Sequence, residues 1–161
     1  MNDREFFLKR REAEFPAFMK VLRAVPVDRV DYKPHDRSPS AGQLLWTLAG
    51  EFQACIDVVR NYKAEWKNAT PPPPSEMIAG FERNYTELGD CVTKMDDAAW
   101  TKAAQFYVDG KVVLEQAAGE FLWFILFDAI HHRGQLSAYL RPMGAKVPAI
   151  YGPSADDQRF L

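Results

Sequence analysis

Residues 114–140 read LEQAAGEFLWFILFDAIHHRGQLSAYL, and this stretch decides the fold. At about 100° per residue, a set of its side chains falls on one helical stripe. The apolar members of the stripe are Phe121, Ile125, Leu136 and Tyr139. Pro142 and Gly144 follow at once, so the pattern predicts a long helix over roughly residues 114–140. A helix with such a stripe must pack against other elements, which the rest of the chain has to supply.

Three segments upstream show the same helical spacing of apolar residues. Pro16 lies inside the first of them, where the pattern predicts either a kink or the start of the helix. The second begins with Ser38 as the N-cap and Pro39 at the first helical position. Ser75 is the predicted N-cap of the third. These segments are residues 3–25, 38–66 and 75–95.

The connections between these helices are predicted to be irregular. They are residues 27–37, 71–74 and 95–114, followed by a tail at 145–161. Four consecutive prolines at 71–74 predict a stiff extended connector. Asp109-Gly110 is a turn signal, so residues 100–113 are predicted to be a loop or a short strand pair. Four long helices without a convincing sheet indicate an all-α four-helix bundle, which fills residues 1–161 as one domain.

Composition limits the class of protein. The 161 residues are 47% apolar and 26% charged, and the net charge is −2, which argues against nucleic-acid binding. The charged start MNDREFFLKRREAEF lacks the apolar run of an export signal. The longest apolar stretch, residues 121–127, is far shorter than the roughly 20 residues of a membrane span. Cys55 and Cys91 are too few for a disulfide framework. We therefore expect a cytoplasmic protein with free thiols.

Two ionisable side chains, Asp128 and His132, interrupt the apolar stripe of the last helix. A buried carboxylate and a buried imidazole must be paired, hydrogen-bonded or bound to a metal, because burying either alone costs several kcal/mol. Their i, i+4 spacing places the Cβ atoms about 6 Å apart, close enough to share one ion. The pattern therefore indicates either a hydrogen-bonded pair or two ligands of a metal.

The second predicted helix offers a third partner for that pair. Glu51 lies about 80° from the centre of its apolar face, and Thr47 lies about 120° from it on the same side. A carboxylate in that position either turns into the groove between helices or stays a solvated residue at the edge. Cys55, one turn after Glu51, lies nearer the apolar centre and is predicted to be a buried structural thiol.

Other polar residues carry separate predictions. His131 is rotated by about 100° from its neighbour His132, so it is expected to face water or an interhelical contact. Arg133 is expected to pair with an acidic residue of another helix or of a second subunit. Gly134 costs about 1 kcal/mol relative to alanine inside a helix, which predicts a close approach of another helix. His35 is expected to be an exposed loop histidine.

Two sets of short motifs lie towards the ends of the chain. Residues 127–144, FDAIHHRGQLSAYLRPMG, contain His-Arg-Gly-Gln, and KVPAIYGPS at 146–154 adds Val-Pro and Tyr-Gly-Pro. Upstream, the sequence has YKPH at 32–35, SPS at 38–40 and LLW at 44–46. Together these motifs resemble the DinB-like superfamily, and the predicted order of helices fits it.

The resemblance implies a DinB/YfiT-type four-helix bundle, often dimeric, that holds a divalent zinc or nickel ion with three histidines. One of these histidines lies on the second helix, and two lie four residues apart on the last. In this sequence His132 matches the last ligand, Asp128 stands where the family has histidine, and Thr47 occupies the position on the second helix. Characterised branches include thiol-dependent transferases and isomerases, and proteins described as metal-dependent hydrolases.

The resulting hypothesis is a metal site formed by Glu51, Asp128 and His132, with Thr47 at the usual first-ligand position. This carboxylate-rich set suits manganese, iron or zinc, and the resemblance adds nickel. The protein is then expected to be a homodimer that acts on a small-molecule substrate, either by transferring a thiol to the substrate or by hydrolysing the substrate. No nucleic-acid or membrane partner is expected. The alternative is a metal-free bundle that retains these residues as a hydrogen-bond network and serves as a ligand-binding or interaction protein.

Overall fold

The computed structural model describes residues 1–67 and 69–159. Its helices and strands are, in chain order, α1 (Asp3–Ala24), α2 (Ala41–Asn61), β1 (Lys63–Trp66), α3 (Pro74–Thr93), α4 (Asp97–Thr101), β2 (Ala103–Val108), β3 (Lys111–Ala117) and α5 (Ala118–Leu140). The four long helices α1, α2, α3 and α5 form the predicted bundle. In it, α2 contacts α3 and α5, and α1 contacts the same two helices from the other side.

The prediction of an all-α fold is wrong, because a three-stranded sheet accompanies the bundle. Its strand order is β1-β2-β3, with β1 parallel to β2 and β2 antiparallel to β3. The helix predicted to reach Trp66 ends at Asn61, because Tyr62 adopts a left-handed backbone with φ of 55° and redirects the chain into β1. The predicted turn at Asp109-Gly110 is confirmed as the tip of the β2-β3 hairpin, where both residues have positive φ.

The start of α2 lies two residues later than predicted. Ser40, not Ser38, is the N-cap, and its hydroxyl accepts a hydrogen bond from the Gln43 backbone N–H. The Gln43 side chain in turn accepts from the Ser40 backbone N–H at 2.8 Å. This reciprocal capping box satisfies two backbone donors at once. Ser38 could not form such a box, because the residue three positions later is Ala41, which has no side-chain acceptor.

The starts of α3 and α5 also differ from the prediction. Pro74 is the first residue of α3 and Pro73 its cap, so Ser75 lies inside the helix and not at its cap. Proline fits the first helical turn because its missing N–H has no partner there in any case. The last helix begins at Ala118 and not near residue 114, because residues 111–117 pair with β2.

Helix α1 runs continuously through Pro16, so a helix start at that residue is wrong. The helix begins instead at a capping box between Asn2 and Glu5. Pro16 is exposed, on the side of α1 where water can reach the backbone carbonyl that loses its intrahelical partner.

An aromatic cluster joins three of the four long helices. Phe18 of α1, Phe52 of α2, and Phe81 and Tyr85 of α3 are buried with ring centroids 4.6 to 6.1 Å apart. Burial of each ring contributes roughly 1.5–3 kcal/mol, before any gain from the ring contacts themselves. The cluster fixes the rotation of α2 about its axis, and so fixes the direction of Glu51, the residue before Phe52.

The predicted irregular tail is confirmed for residues 145–159, which contain no helix or strand; residues 160–161 lie outside the described part. In the same described part of the chain, no helix combines the length and apolar character that a membrane crossing needs.

Candidate metal centre

The structure brings Glu51, Asp128 and His132 together between α2 and α5. One side-chain ligand atom of each lies within 4.8 Å of the others. The Nε2 atom of His132 is 3.5 Å from Oε1 of Glu51 and 3.5 Å from Oδ2 of Asp128. Glu51 is only 4% exposed, so it is not a solvated edge residue. Thr47 is half-buried one turn earlier in α2.

A fourth residue, Gln135, orients the imidazole of His132. Its Oε1 atom lies 2.9 Å from Nδ1 of His132. Because an amide oxygen only accepts, Nδ1 carries the proton and donates it to this hydrogen bond. In the neutral imidazole the lone pair then lies on Nε2, which faces the two carboxylates. Gln135 was not among the predicted site residues, although its i+3 spacing from His132 was the signal that could have found it.

One of the two carboxyl oxygens of the buried Glu51, Oε2, has no hydrogen-bond partner within residues 1–67 and 69–159. Burial, and secondarily the nearby charge of Asp128, raises the pKa of Glu51 well above its ordinary value. The chain thus holds a carboxyl group in a place that disfavours its charge unless a cation or a proton compensates.

The donor set fits a divalent cation. Two carboxylate oxygens and an imidazole lone pair are all acceptors, and acceptors that face one another repel unless positive charge lies between them. Ligands at about 2.0–2.2 Å from a tetrahedral ion are themselves about 3.3–3.6 Å apart. The two 3.5 Å separations match that spacing and exceed the length of a normal hydrogen bond. Three protein ligands also leave positions open, as in catalytic metal sites.

One prediction follows from the burial of Glu51 in the metal-free protein. As the pH rises from about 4, the unfolded chain releases this proton before the folded chain does, so the free energy of unfolding falls. We therefore expect Glu51→Gln to raise the free energy of unfolding at neutral pH by about 1–3 kcal/mol and to flatten its decline with pH.

Urea unfolding in the presence of a chelator, repeated between acid and neutral pH, measures both effects. Glu76→Gln, at an exposed position of α3, is the control and should leave the profile unchanged. A Glu51→Gln protein with the slope and stability of the wild type would show that the buried carboxyl is already compensated.

The remaining candidate residues lie outside the centre. Cys55 is buried, as predicted, and burial raises the pKa of its thiol well above the ordinary value, which keeps it protonated. His35 is exposed in its loop, where Nδ1 accepts a hydrogen bond from the Arg37 backbone N–H. His131 is exposed on α5. None of these residues contributes a ligand atom to the group.

Arg133 pairs with an acidic residue of another helix, as predicted. Its Nη1 lies 2.7 Å from Oε2 of Glu14 in α1, and both side chains are 2% exposed. The hydroxyl of Tyr151, from the tail, accepts from Arg133 and donates to Glu14, each at 2.6 Å. The close helix approach predicted at Gly134 is wrong, because no other side chain or element of the described chain comes within 4 Å of its Cβ position.

A separate cavity of about 720 Å³ lies on another face of α2. Its lining includes Trp46 and Gly50 of α2, Trp66 of β1 and Arg83 of α3. Its lining includes none of the three converging residues.

The family model of DinB matches residues 1–159 of this sequence. The chain belongs to the DinB family. Among curated relatives, this DinB protein is similar to the uncharacterised protein YrdA of Bacillus subtilis. The two are 23% identical over 154 residues, which cover 95% of this chain and 90% of the relative.

Solved structures show the same DinB fold. The DinB-like protein YjoA of Bacillus subtilis superposes with a TM-score of 0.69 at 15% identity, over 95% of this chain and 99% of its own. A DinB-like protein of Bacillus cereus gives 0.74 at 19% identity, over 91% and 97%. A mycothiol-dependent maleylpyruvate isomerase gives 0.60 at 12% identity, over 90% of this chain and 62% of the isomerase.

Proposed function

We propose that this DinB protein binds one divalent metal ion through Glu51, Asp128 and His132 and acts on a small-molecule substrate. The observation that supports the proposal is the convergence of three acceptors from two helices, one of them a buried carboxylate with an oxygen that has no hydrogen-bond partner in the described residues. Manganese, iron and zinc suit the mixture of carboxylate and imidazole ligands, and nickel suits the imidazole.

The three side chains differ in exposure, and this difference determines which side of the centre is open to solvent. Glu51 closes the buried end, while the Asp128 side chain is 39% exposed and that of His132 is 20% exposed. A substrate therefore approaches from the side of Asp128. Gln135 keeps Nε2 of His132 turned towards the two carboxylates. When bound, a divalent ion in this place supplies Lewis-acid activation of a carbonyl, or lowers the pKa of a thiol or of water.

Two reaction classes are compatible with that chemistry, thiol transfer and hydrolysis. The structural likeness to a mycothiol-dependent isomerase supports thiol chemistry, by analogy of fold. Hydrolysis needs only water as the nucleophile and the same three side chains. Small thiols with electrophilic substrates, and small esters or amides, are the compounds to assay once metal loading is established.

The test of the proposal is the metal content of the purified, untagged protein, measured by elemental mass spectrometry after incubation with manganese, iron, zinc or nickel. The wild type is expected to retain close to one equivalent of one of these metals. Asp128→Ala and His132→Ala are each expected to lose it. His131→Ala is the matched control, because it removes a neighbouring exposed imidazole of the same helix and should retain the metal.

A stability measurement gives an independent readout. An ion that binds only the folded state at 100 times its Kd adds about 2.7 kcal/mol to the free energy of unfolding. Wild type and His131→Ala should gain this increment, and Asp128→Ala should not. If the wild type retains no metal, or if both ligand variants retain it, the proposal fails. The metal-free bundle that binds a ligand or a partner protein is then the better description.

A further inference from the structure

The cavity that α2, β1 and α3 line has the size and composition of a small-molecule site. Its volume of about 720 Å³ lies within the range of about 300–1,000 Å³ that is typical of ligand pockets. Small residues of the two helices make room in it, and larger apolar side chains supply contact area. The small residues are Ala49, Gly50, Ala54, Ala79 and Gly80, and the larger ones are Trp46, Trp66, Pro72 and Met77.

The two tryptophans of this cavity lack the partners that the other two tryptophans of the chain have. Trp100 and Trp123 each donate the indole N–H to Asp3, and each has another aromatic ring centroid within 5.7 Å. Within residues 1–67 and 69–159, neither Trp46 nor Trp66 has an acceptor for its N–H or pairs with another ring, and both are half-buried. Ring surface and two hydrogen-bond donors are therefore available on side chains that line the cavity.

A glycine of α2 allows Trp66 to take its place at the cavity. A Cβ atom at Gly50 would lie 2.8 Å from Cη2 and from Cζ3 of the indole, so the ring packs directly on the backbone of α2. Glycine is unfavourable inside a helix, and here it makes this close packing possible. The position of the indole thus depends on a residue that a single methyl group would change.

Arg83 brings an unpaired positive charge to the same cavity. Its side chain makes no ion pair or hydrogen bond within the part of the chain that the structure describes. Its Nη2 atom lies 3.7 Å from the Cβ position of Gly80, one turn earlier, so the guanidinium lies back along α3 beside the other lining residues. A guanidinium with free N–H donors recognises a carboxylate through two parallel hydrogen bonds.

The other charged residues of the lining have favourable neighbours of their own. Glu65 pairs with Lys67 at 3.4 Å. Asp57 accepts a hydrogen bond from the side-chain amide of Gln53 at 3.1 Å. Glu76 lies in the first turn of α3, where the partial positive charge of the helix N-terminus stabilises a carboxylate. The unpaired guanidinium is therefore the charge in this lining that an anionic group from outside the chain would complement.

We propose that this cavity binds a small planar aromatic carboxylate, with its ring against Trp46 and Trp66 and its carboxylate on Arg83. The indole rings supply stacking or edge contacts, and their N–H groups supply further donors to the oxygens of the ligand. A cationic aromatic ligand would meet the same rings but would be repelled by the guanidinium. The site uses none of the three residues of the candidate metal centre, so it does not depend on the proposed metal.

Titration calorimetry of the full chain in the presence of a chelator tests the proposal. The probes share one indole ring and differ in the charge of its side chain: indole-3-acetate, the neutral indole-3-acetamide and the cationic tryptamine. Indole-3-acetate is expected to bind once per chain with a Kd of about 0.1 mM, as suits a ligand of its size. Indole-3-acetamide is expected to bind about tenfold more weakly, and tryptamine more weakly still, because neither offers a carboxylate to the guanidinium.

Two variants separate the contributions of charge and ring. Arg83→Met is expected to raise the Kd of indole-3-acetate about tenfold and to leave that of indole-3-acetamide nearly unchanged. Arg29→Met, at an exposed arginine outside the lining, is its control. Gly50→Ala is expected to weaken both ligands, because the new methyl group displaces Trp66. Gly134→Ala, another glycine inside a helix but with an open Cβ position, should bind both as the wild type does.

Three results would each overturn the proposal. They are the absence of binding at millimolar indole-3-acetate, tighter binding of tryptamine than of indole-3-acetate, and a Kd that neither Arg83→Met nor Gly50→Ala changes. Asp128→Ala serves to locate the ligand, since it alters the candidate metal centre and leaves this lining intact. It is expected to bind indole-3-acetate as the wild type does. Loss of binding in that variant would assign the ligand to the metal centre and contradict a second site.

Discussion

Replacing Glu14 with leucine is expected to lower the free energy of unfolding by about 3–5 kcal/mol. The change removes the carboxylate that pairs with Arg133 and leaves that guanidinium, which is 2% exposed, without a counter-charge. Its other contacts include the hydroxyl and the ring of Tyr151 and the ring of Phe18, whose centroid lies 4.7 Å from the guanidinium carbon. None of these replaces a full negative charge in a buried place.

The opposite replacement, Arg133→Met, is expected to cost less. Glu14 keeps two partners in that variant, namely Arg10, which lies 3.0 Å from its Oε1, and the hydroxyl of Tyr151. Arg10 is half exposed, so Glu14 stays connected to solvent through that pair. A larger loss of unfolding free energy in Glu14→Leu than in Arg133→Met would therefore show that Arg133 depends on Glu14 for charge compensation more than Glu14 depends on Arg133.

Guanidinium chloride unfolding of four variants tests these expected losses of stability. Besides the two single replacements, the double variant Glu14→Leu with Arg133→Met is expected to be more stable than Glu14→Leu alone, since it leaves no orphaned charge. Glu82→Ala breaks the exposed pair with Arg23 and should change the stability by less than about 1 kcal/mol. If Glu14→Leu costs no more than Glu82→Ala, the buried pair is not a major source of stability.

The helices of the bundle were predictable because burial of one face dictates the spacing of apolar residues in each. The sheet was not predictable to the same degree. Residues 63–66 and 111–117 continue the composition of the helices beside them, and only pairing with β2 and the left-handed backbone of Tyr62 decide their state. For residues 63–66, spacing along the segment contains no information about β2, a partner strand that lies about forty residues away in the chain.

The polar residues of α5 and their partners also include some that could be predicted from the sequence and some that could not. Asp128 and His132 could be found from one helix, and the angle of Glu51 to an apolar face made it a candidate while leaving open whether it faces the groove or the solvent. Glu14 and Tyr151 could not, because they reach Arg133 from opposite ends of the chain, through the packing of α1 and the path of the tail. Local patterns identify the residue that needs a partner, whereas the three-dimensional packing determines the partner.

The second large effect is expected at Gly119, in the first turn of α5. A Cβ atom there would lie 2.2 Å from Cε2 and 2.4 Å from Nε1 of Trp100. The indole is held on its other side, where Nε1–H donates to Asp3 at 2.9 Å and the ring packs on Phe7 at 5.5 Å. Gly119→Ala is therefore expected to lower the free energy of unfolding by about 3 kcal/mol, although alanine favours a helix by about 1 kcal/mol.

A double-mutant cycle with Trp100→Phe separates this overlap from other effects of the alanine. The smaller ring of phenylalanine leaves room for the new methyl group, so Gly119→Ala should cost much less in the Trp100→Phe background than in the wild type. Thermal and denaturant unfolding of the four proteins give the coupling energy. An equal cost in both backgrounds would mean that the destabilisation does not come from overlap between the new methyl group and the indole.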